Sequence, residues 1–205
     1  MYAKYFKRAL DFFLSLFAII ALLPIFLVLT VVGTIKMKGN PFFTQERPGW
    51  HEKVFKMVKF RSMNMSKGED GQLLPDIKRI TGYGRFLRRT SLDELPELFN
   101  ILRGDMSIVG PRPLLVKYLG LYSEEQRHRH DVRPGLTGYA QVHGRNVTTW
   151  EERFRMDVEY TRNVTFVGDL SIIVRTAMTV LKHEGINSDS TNEFTMKEFT
   201  GEEGQ

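Results

Sequence analysis

Two neighbouring acids, Asp93 and Glu94, lie in the stretch "RRTSLDELPELFN" (residues 88–100), between an arginine pair and an apolar run. Two carboxylates together with phosphate oxygens form a hard oxygen site that suits Mg²⁺. An ionised aspartate beside a phosphate can also act as a nucleophile and form an aspartyl phosphate. The stretch also matches the helix-entry pattern Ser/Thr-x-x-Asp/Glu, starting at Thr90 or at Ser91, so an ordinary helix cap remains an alternative.

Pro96 distinguishes between two starting points for the helix that follows the acids. If Ser91 capped this helix, Pro96 would lie where the helix needs a backbone N–H, which proline lacks. If the helix begins between Asp93 and Leu95, Pro96 falls in the first turn, where no N–H is required. We therefore expect the acids at the helix entrance, where the helix dipole favours an ionised carboxylate and attracts a phosphate.

Arginine is concentrated around the acids, and several of these arginines lie in turns rather than on helices. Arg112 lies in "GPRP", and Arg133 and Arg145 lie in "RPG" and "HGRN". Arginine suits bidentate contacts with phosphate, and a stiff turn fixes the direction of its side chain, so we predict positioned anion ligands. The other arginines of the interval are Arg85, Arg88, Arg89 and Arg103.

A hydrophobic segment precedes this region. Residues 12–35 contain no charged residue, and as a helix they would extend about 36 Å, which exceeds a hydrocarbon core of about 30 Å. The run is too long for a cleaved signal peptide, so we expect it to be retained. Pro24 interrupts its middle, and basic residues flank both ends. A straight span and a re-entrant helix that bends at Pro24 and leaves by the same face both remain open.

The remaining chain indicates a helix-rich α/β domain with short elements. We divide the chain into a membrane-inserted part (1–38), a main domain (39–185) and a polar tail (186–205). Residues 169–185 form an amphipathic helix that we assign to the core, with a place at the membrane interface as the alternative. Further expectations are a strand in 53–63, a polar loop at 65–76, helix within 80–105, no regular helix at 107–115, a helix at 123–132, a loop with at most a short strand at 133–146, and a helix at 149–163.

Composition restricts the function classes. The 205 residues carry a formal charge of +5, which favours anionic partners, and no cysteine, which excludes disulfides and thiol chemistry. A non-enzymatic, membrane-tethered binder of nucleic acid or anionic lipid is the alternative to an enzyme. Aromatic residues interleaved with lysines are not evident, so we do not expect nucleic acid as a partner. We interpret the histidines of "HRH" (128–130) as solvated rather than as metal ligands.

Four stretches resemble the monotopic phosphoglycosyl transferases of the bacterial sugar transferase family. With the hydrophobic run before them, they cover most of residues 1–185 in the family's order, and the length resembles the small members. One departure is Leu23-Pro24, where close relatives often have Ser-Pro. The matching stretches are "FTQERPG" (43–49), "FKMVKFRSM" (55–63), "RRTSLDELPELFNILRGDMSIVGPRPLL" (88–115) and "RHDVRPGLTGYAQVHGRN" (129–146).

This resemblance implies a re-entrant membrane helix and a catalytic domain on the cytoplasmic face of the bacterial inner membrane. It implies transfer of a phospho-sugar from a UDP-sugar to polyprenyl (undecaprenyl) phosphate, with release of UMP, in a ping-pong reaction. Asp93 would be the nucleophile, and Glu94 with Asp93 would hold Mg²⁺. The resemblance and the anion argument together assign phosphate or nucleotide contacts to four residues: Lys59, Arg88, Arg112 and Arg145.

Overall fold

The computed structural model describes residues 1–143, 149–182 and 198–201. It is helix-rich α/β with few short strands, as the sequence predicts. A π-helical turn (Tyr2–Phe6) leads into the first helix, and 3₁₀ turns lie at Leu92–Glu94, Val116–Tyr118 and His128–His130. The helices and strands are α1 (Lys7–Ala21), α2 (Leu23–Met37), β1 (Phe42–Pro48), β2 (Val54–Phe60), α3 (Asp76–Arg79), α4 (Gly82–Arg89), α5 (Glu97–Arg103), β3 (Ser107–Val109), α6 (Glu124–Arg127), β4 (Gly135–Thr137), α7 (Tyr139–His143), α8 (Trp150–Arg162) and α9 (Phe166–Lys182).

The hydrophobic segment forms two helices joined at a bend. The break falls at Leu22, and Pro24 follows in the first turn of α2, where its missing N–H costs no hydrogen bond. The axes of Tyr2–Ala21 and Leu23–Met37 differ in direction by 64°. Within the described ranges, no single helix is long and apolar enough to cross a membrane, whereas this bent pair together passes that test by length and composition.

Helix α1 is tied to the rest of the chain by polar contacts that replace water around its basic residues. Lys7 Nζ donates to Asp169 Oδ2 at 2.6 Å, and both side chains are almost fully buried. Arg8 donates to the carbonyl oxygens of Ile101 and Leu102 at the end of α5. These contacts satisfy terminal carbonyls that a helix otherwise leaves unpaired. Two cations that flank the hydrophobic run are therefore structural ligands of the main domain.

Two small sheets organise the main domain. Strands β1 and β2 pair in antiparallel register, with Gln45 opposite Met57, and β3 pairs with β4 in parallel. The strand within 53–63 is confirmed, and so is the absence of helix around the prolines after β3. A Cβ at Gly135 would lie 2.1 Å from the backbone N of Gly110. The backbone after β3 therefore approaches β4 so closely that only glycine, which has no Cβ, fits at position 135.

The main core lies between β2, α4, α5 and the bent helix pair. Leu87, Ile101 and Met106 are fully buried there, and Phe26 and Leu29 of α2 belong to the same cluster. Hydrophobic burial thus joins α2 to the domain that follows it. The apolar residues on the other sides of α1 and α2 are largely exposed, among them Phe13, Phe17, Leu27 and Val31.

Helix α9 does not behave as a core helix along most of its length. Ile172 and Asp169 are buried, but Leu170, Val174 and Met178 are about half exposed. The expectation that the core holds this apolar face is therefore wrong. The helix begins at Phe166, three residues before its predicted start, and the neighbouring α8 lies where the sequence predicts it.

A second cluster of aromatic residues lies beside α8. Phe199 is only 6% exposed in it, although the composition of 186–205 indicates a polar tail. Ring contacts join Phe199 to its neighbours at centroid distances between 5.0 and 5.8 Å. We call this group the aromatic cluster; it comprises Leu114, Tyr118, Tyr122, Trp150, Phe154 and Phe199.

Candidate active site

A pocket of about 700 Å³ opens between β1, β2, the turn Leu92–Glu94 and helices α7 to α9. Asp93 and Glu94 both line it, which brings the two acids of the sequence hypothesis into one cavity. The other charged side chains of its wall are mostly cations. They are Arg47, Lys59, Arg61, Arg79, Arg88, Arg112, Arg129, Arg153 and Asp157.

Glu94 is held by two cations from different parts of the chain. Its Oε1 accepts hydrogen bonds from Lys59 Nζ and from Arg112 Nη2, each at 2.7 Å. Burial alone would raise the pKa of Glu94, but the charges of Arg112 and Lys59 outweigh burial and lower this pKa to about 2. Glu94 is therefore ionised at neutral pH, and its charge in turn raises the pKa of Arg112.

Asp93 lies beside this ion pair in a different environment. Burial and the negative charge of Glu94 raise its pKa, while Lys59, Arg88 and Arg112 lower it by a smaller amount. Among the residues that the structure describes, none donates a hydrogen bond to the Asp93 carboxylate. A partly desolvated carboxylate without a fixed donor can approach an electrophile with little cost in broken hydrogen bonds.

The local backbone differs from the predicted helix entrance. Asp93 and Glu94 lie in the 3₁₀ turn Leu92–Glu94, and the α-helix begins only at Glu97, with Pro96 as its N-cap. Ser91 adopts a left-handed conformation (φ 55°) and makes no capping hydrogen bond, so the ordinary cap is not formed. The helix start predicted between Asp93 and Leu95 is therefore wrong by at least two residues. Nearby cations, rather than the first turn of an α-helix, keep Glu94 ionised, whereas burial and the charge of Glu94 dominate at Asp93.

Lys59 is positioned by a residue that sequence reasoning missed. Asn100 of α5 is fully buried; its Nδ2 donates to the Lys56 carbonyl and its Oδ1 accepts from the Val58 N–H. These bonds occupy the edge of β2 that β1 leaves free and fix the strand just before Lys59. The Lys59 ammonium then lies between Glu94 and Glu97, at 2.7 and 3.0 Å.

Arg88 and Arg112 are each held by a hydrogen bond to a neighbouring element. Arg88 Nε donates to Ser62 Oγ at 3.0 Å. A Cβ at Gly84 would lie 1.8 Å from the Ser62 carbonyl oxygen, so only glycine lets α4 approach this closely. The Arg112 carbonyl accepts from Arg129 Nη2 at 2.8 Å, and Arg129 forms a buried ion pair with Asp157 of α8.

The remaining arginine predictions have mixed outcomes. Arg85, Arg89 and Arg103 are exposed and do not line the pocket. Arg133 donates to the Gly104 carbonyl and packs over the Trp50 ring, so it is structural rather than an anion ligand. Arg145 lies outside the described residues.

Five lining arginines were not predicted: Arg47, Arg61, Arg79, Arg129 and Arg153. Arg47 follows Gln45 in the matched stretch "FTQERPG", which is the one local signal for it. Burial and the positive charge of Arg112 lower the pKa of Arg47. Its buried Nε has no hydrogen-bond partner within the described parts of the chain. Such a desolvated donor beside a second guanidinium is an arrangement that an anionic ligand would stabilise.

The acids also fit a divalent cation. The described part of the chain contains no group of three or more acidic or histidine side chains suited to a metal. Asp93 and Glu94 would supply two carboxylates to a bound cation, and phosphate oxygens and water would supply the other ligands. Mg²⁺ typically binds in this way, through one or two carboxylates and substrate phosphates.

The chain thus joins a bent pair of apolar helices to a domain whose pocket is lined by cations and by the two acids. The chain belongs to the bacterial sugar transferase family, whose sequence profile matches residues 2–183. It is 46% identical to the uncharacterized sugar transferase EpsL of Bacillus subtilis, over 95% of this chain and 96% of that protein.

Two relatives carry more specific names. The UDP-glucose:undecaprenyl-phosphate glucose-1-phosphate transferase of Xanthomonas campestris is 40% identical over 85% of this chain. The undecaprenyl-phosphate galactose phosphotransferase of Salmonella typhimurium is 37% identical over 89% of this chain. The matches cover only 38% and 42% of those two proteins, so this chain corresponds to about two fifths of each.

Proposed function

We propose that this protein transfers a sugar 1-phosphate from a UDP-sugar to polyprenyl phosphate and releases UMP. The observation that carries the proposal is the pocket, which combines Asp93, to which no residue of the described ranges donates a hydrogen bond, with cations suited to phosphate oxygens. Family membership and the two named relatives support this class of reaction.

The geometry supports a two-step reaction through Asp93. An oxygen of the Asp93 carboxylate attacks the phosphorus that carries the sugar, and the bond from this phosphorus to the bridging oxygen breaks. UMP leaves with the bridging oxygen, and the sugar phosphate remains on Asp93 as an acyl phosphate. An oxygen of polyprenyl phosphate then attacks the same phosphorus, which forms the lipid diphosphate and restores the carboxylate.

The cations stabilise the negative charge of this transfer. Lys59, Arg88 and Arg112 approach the pocket from three elements, and fixed cations in a partly desolvated cavity stabilise phosphoryl charge without reorganisation. Arg145 belongs to the same proposal through its matched motif. Mg²⁺, held by Glu94 and Asp93, would neutralise phosphate charge when it is bound.

The proposed site of action is the cytoplasmic face of the bacterial inner membrane. The bent pair α1–α2 would insert as a re-entrant helix, and the apolar face of α9 would lie in the interface, where amphipathic helices bind lipid. Polyprenyl phosphate is a lipid with an anionic head, so the enzyme and its acceptor would meet at this surface. The membrane-tethered lipid or nucleic-acid binder is the alternative, and the activity assay below separates the two.

The identity of the donor sugar needs a test of its own. From the resemblance to small family members we propose UDP-N,N′-diacetylbacillosamine as one candidate donor, whereas the two relatives above are named for glucose and galactose. We therefore propose a panel of these three UDP-sugars, with UMP release as the readout. One donor should be preferred by at least about tenfold in kcat/KM, because a single unpaired polar contact costs this much discrimination.

The Asp93→Asn variant tests the reaction. We expect UMP release to fall at least about 10³-fold, because the amide is no nucleophile. Membrane association should be unchanged. Asp70→Asn, in an exposed loop, is the matched control and should retain full activity. A wild-type protein that releases no UMP with any donor would favour the non-enzymatic alternative.

A further inference from the structure

Residues 198–201 are bound to the main domain by three contacts; we call them the anchor segment. Phe199 fills the aromatic cluster, where it stacks on Tyr122 and contacts Phe154 edge-on. Glu198 forms an ion pair with Lys117. Gly201 has a φ of +85°, and a Cβ there would lie 3.3 Å from the Leu121 side chain. Lys117, Leu121 and Tyr122 lie together in residues 117–122, whereas Phe154 lies on α8.

The chain contacted by the anchor segment continues directly from Arg112. Pro111, Pro113 and Leu114 are buried on either side of Arg112, and Leu114 belongs to the aromatic cluster. Movement of the cluster would therefore be transmitted to the "GPRP" backbone, because closely packed interiors resist local deformation.

A second connection runs through Arg129. Its guanidinium lies 5.7 Å from the Tyr122 ring centroid and 5.6 Å from that of Phe154, and Phe199 contacts both rings. The same guanidinium donates to the Arg112 carbonyl at 2.8 Å and pairs with Asp157. Cation–π contacts strengthen when they are desolvated, and Arg129 and Phe199 are both almost fully buried.

We propose that Phe199 is a positioning residue of the active site, which acts through the aromatic cluster and Arg129 to fix Arg112 against Glu94. Loss of the Phe199 ring would loosen the rings that hold Arg129 and hence the Arg112 carbonyl. The Arg112 side chain would then spend less time in the geometry that contacts both Glu94 and the transferred phosphate. The activity part of this inference rests on the proposed function.

The test compares three variants of the full-length protein by UMP release. Phe199→Ala should lower kcat about tenfold and change KM for the UDP-sugar by less than about threefold, because misplaced transition-state contacts reduce kcat. Phe199→Leu keeps most of the apolar volume and should restore at least half of kcat. Thr200→Ala changes the exposed neighbour and is the matched control, with kcat unchanged.

An activity-independent readout uses phenylglyoxal, which modifies accessible arginines. We expect the Arg112 peptide of Phe199→Ala to react at least about threefold faster than that of the wild type, because a loosened contact with Glu94 frees the guanidinium. This comparison decides the inference even if the wild type releases no UMP, a result that would count against the proposed function alone. If Phe199→Ala does not fold, Phe199→Leu carries the same comparison, with a smaller increase in reactivity.

A double-mutant cycle tests whether Phe199 acts through Arg112. In an Arg112→Lys background, Phe199→Ala should lower kcat by less than about twofold, because residues that act through one another are not additive. A full tenfold further loss would overturn the proposal, since Phe199 would then act independently of Arg112. Unchanged kcat or unchanged Arg112 reactivity in Phe199→Ala would overturn it as well.

Discussion

Asp93 and Glu94 are adjacent in the chain, yet their surroundings shift the two pKa values in opposite directions. Glu94 is fixed by Lys59 and Arg112, whereas Asp93 is partly buried beside that negative charge without a hydrogen-bond donor among the described residues. Paired titratable groups whose pKa values diverge are typical of sites that give each acid a separate role. Here the Glu94 carboxylate binds Lys59 and Arg112, and the Asp93 carboxylate stays available to a ligand in the pocket.

His130 is a second residue whose environment differs from the sequence interpretation. It is buried against Tyr122 rather than solvated, and neither ring nitrogen has a hydrogen-bond partner within the described ranges. Burial, with the positive charge of Arg129, lowers its pKa to about 4. The folded protein therefore keeps His130 neutral under conditions in which the unfolded chain protonates it.

We predict a corresponding pH dependence of stability. A depressed histidine pKa contributes stability that is fully present above pH 6.5 and is lost as the pH falls from 6.5 to about 4. The loss should reach up to about 3 kcal/mol in the free energy of unfolding. His130→Phe cannot titrate, so its unfolding free energy should change less between pH 7 and pH 4.5. Equal slopes in the two proteins would contradict the prediction.

At the scale of elements, the site depends on how α5 is joined to β2. The sequence pattern predicts both elements and places Lys59 and the acids on them. It does not show that Asn100 supplies the hydrogen bonds between them, because a buried asparagine within an apolar helix leaves no local pattern. The late start of α5 has a similar origin: Pro96 is compatible with several helix starts, and the 3₁₀ turn before it is selected by packing.

Asn100→Ala should therefore destabilise the protein. It leaves the Val58 N–H and the Lys56 carbonyl without their partner in a buried place, which costs about 2–4 kcal/mol in the free energy of unfolding. Asn64→Ala, which removes an exposed side-chain hydrogen bond in a loop, is the control and should cost less than about 1 kcal/mol. Denaturant unfolding in detergent measures both. A cost below 1 kcal/mol for Asn100→Ala would show that α5 does not depend on this residue.

Across the whole molecule, local motifs supply the pocket residues, and contacts between distant parts of the chain hold these residues in place. The acids, Lys59, Arg88 and Arg112 could be predicted because they lie in dense, matched stretches. The pair Arg129–Asp157, the cluster contact of Phe199 and the anchoring of Lys7 on Asp169 could not. Each joins residues far apart in sequence, and nothing in either local stretch indicates its partner. The exposure of the apolar face of α9 could not be predicted either, because periodicity alone does not distinguish a helix face that packs in the core from one that contacts lipid.

The arrangement of α1 predicts the membrane topology. Lys7 and Arg8 are bound within the main domain, so the start of α1 lies on the domain's side of any bilayer. With a bend at Leu22, we expect residue 38 on that same side. The chain has no cysteine, so Lys4→Cys and Lys38→Cys can each be labelled by an impermeant maleimide. Both should react only in inverted vesicles, as should Asp70→Cys in the main domain.

Labelling of residues 4 and 38 from opposite sides would establish a straight span instead. The Asp70→Cys control separates that result from a protein inserted in the wrong orientation, because all three positions would then react in intact spheroplasts.

The central claim is that Asp93 carries the sugar phosphate covalently. The most direct measurement is mass spectrometry of the purified protein after incubation with Mg²⁺ and its UDP-sugar, without polyprenyl phosphate. We predict a mass increase equal to one sugar phosphate on the peptide that contains Asp93, formed with one equivalent of UMP and lost when polyprenyl phosphate is added. UMP that forms only when the acceptor is present, with no adduct on Asp93, would contradict the account.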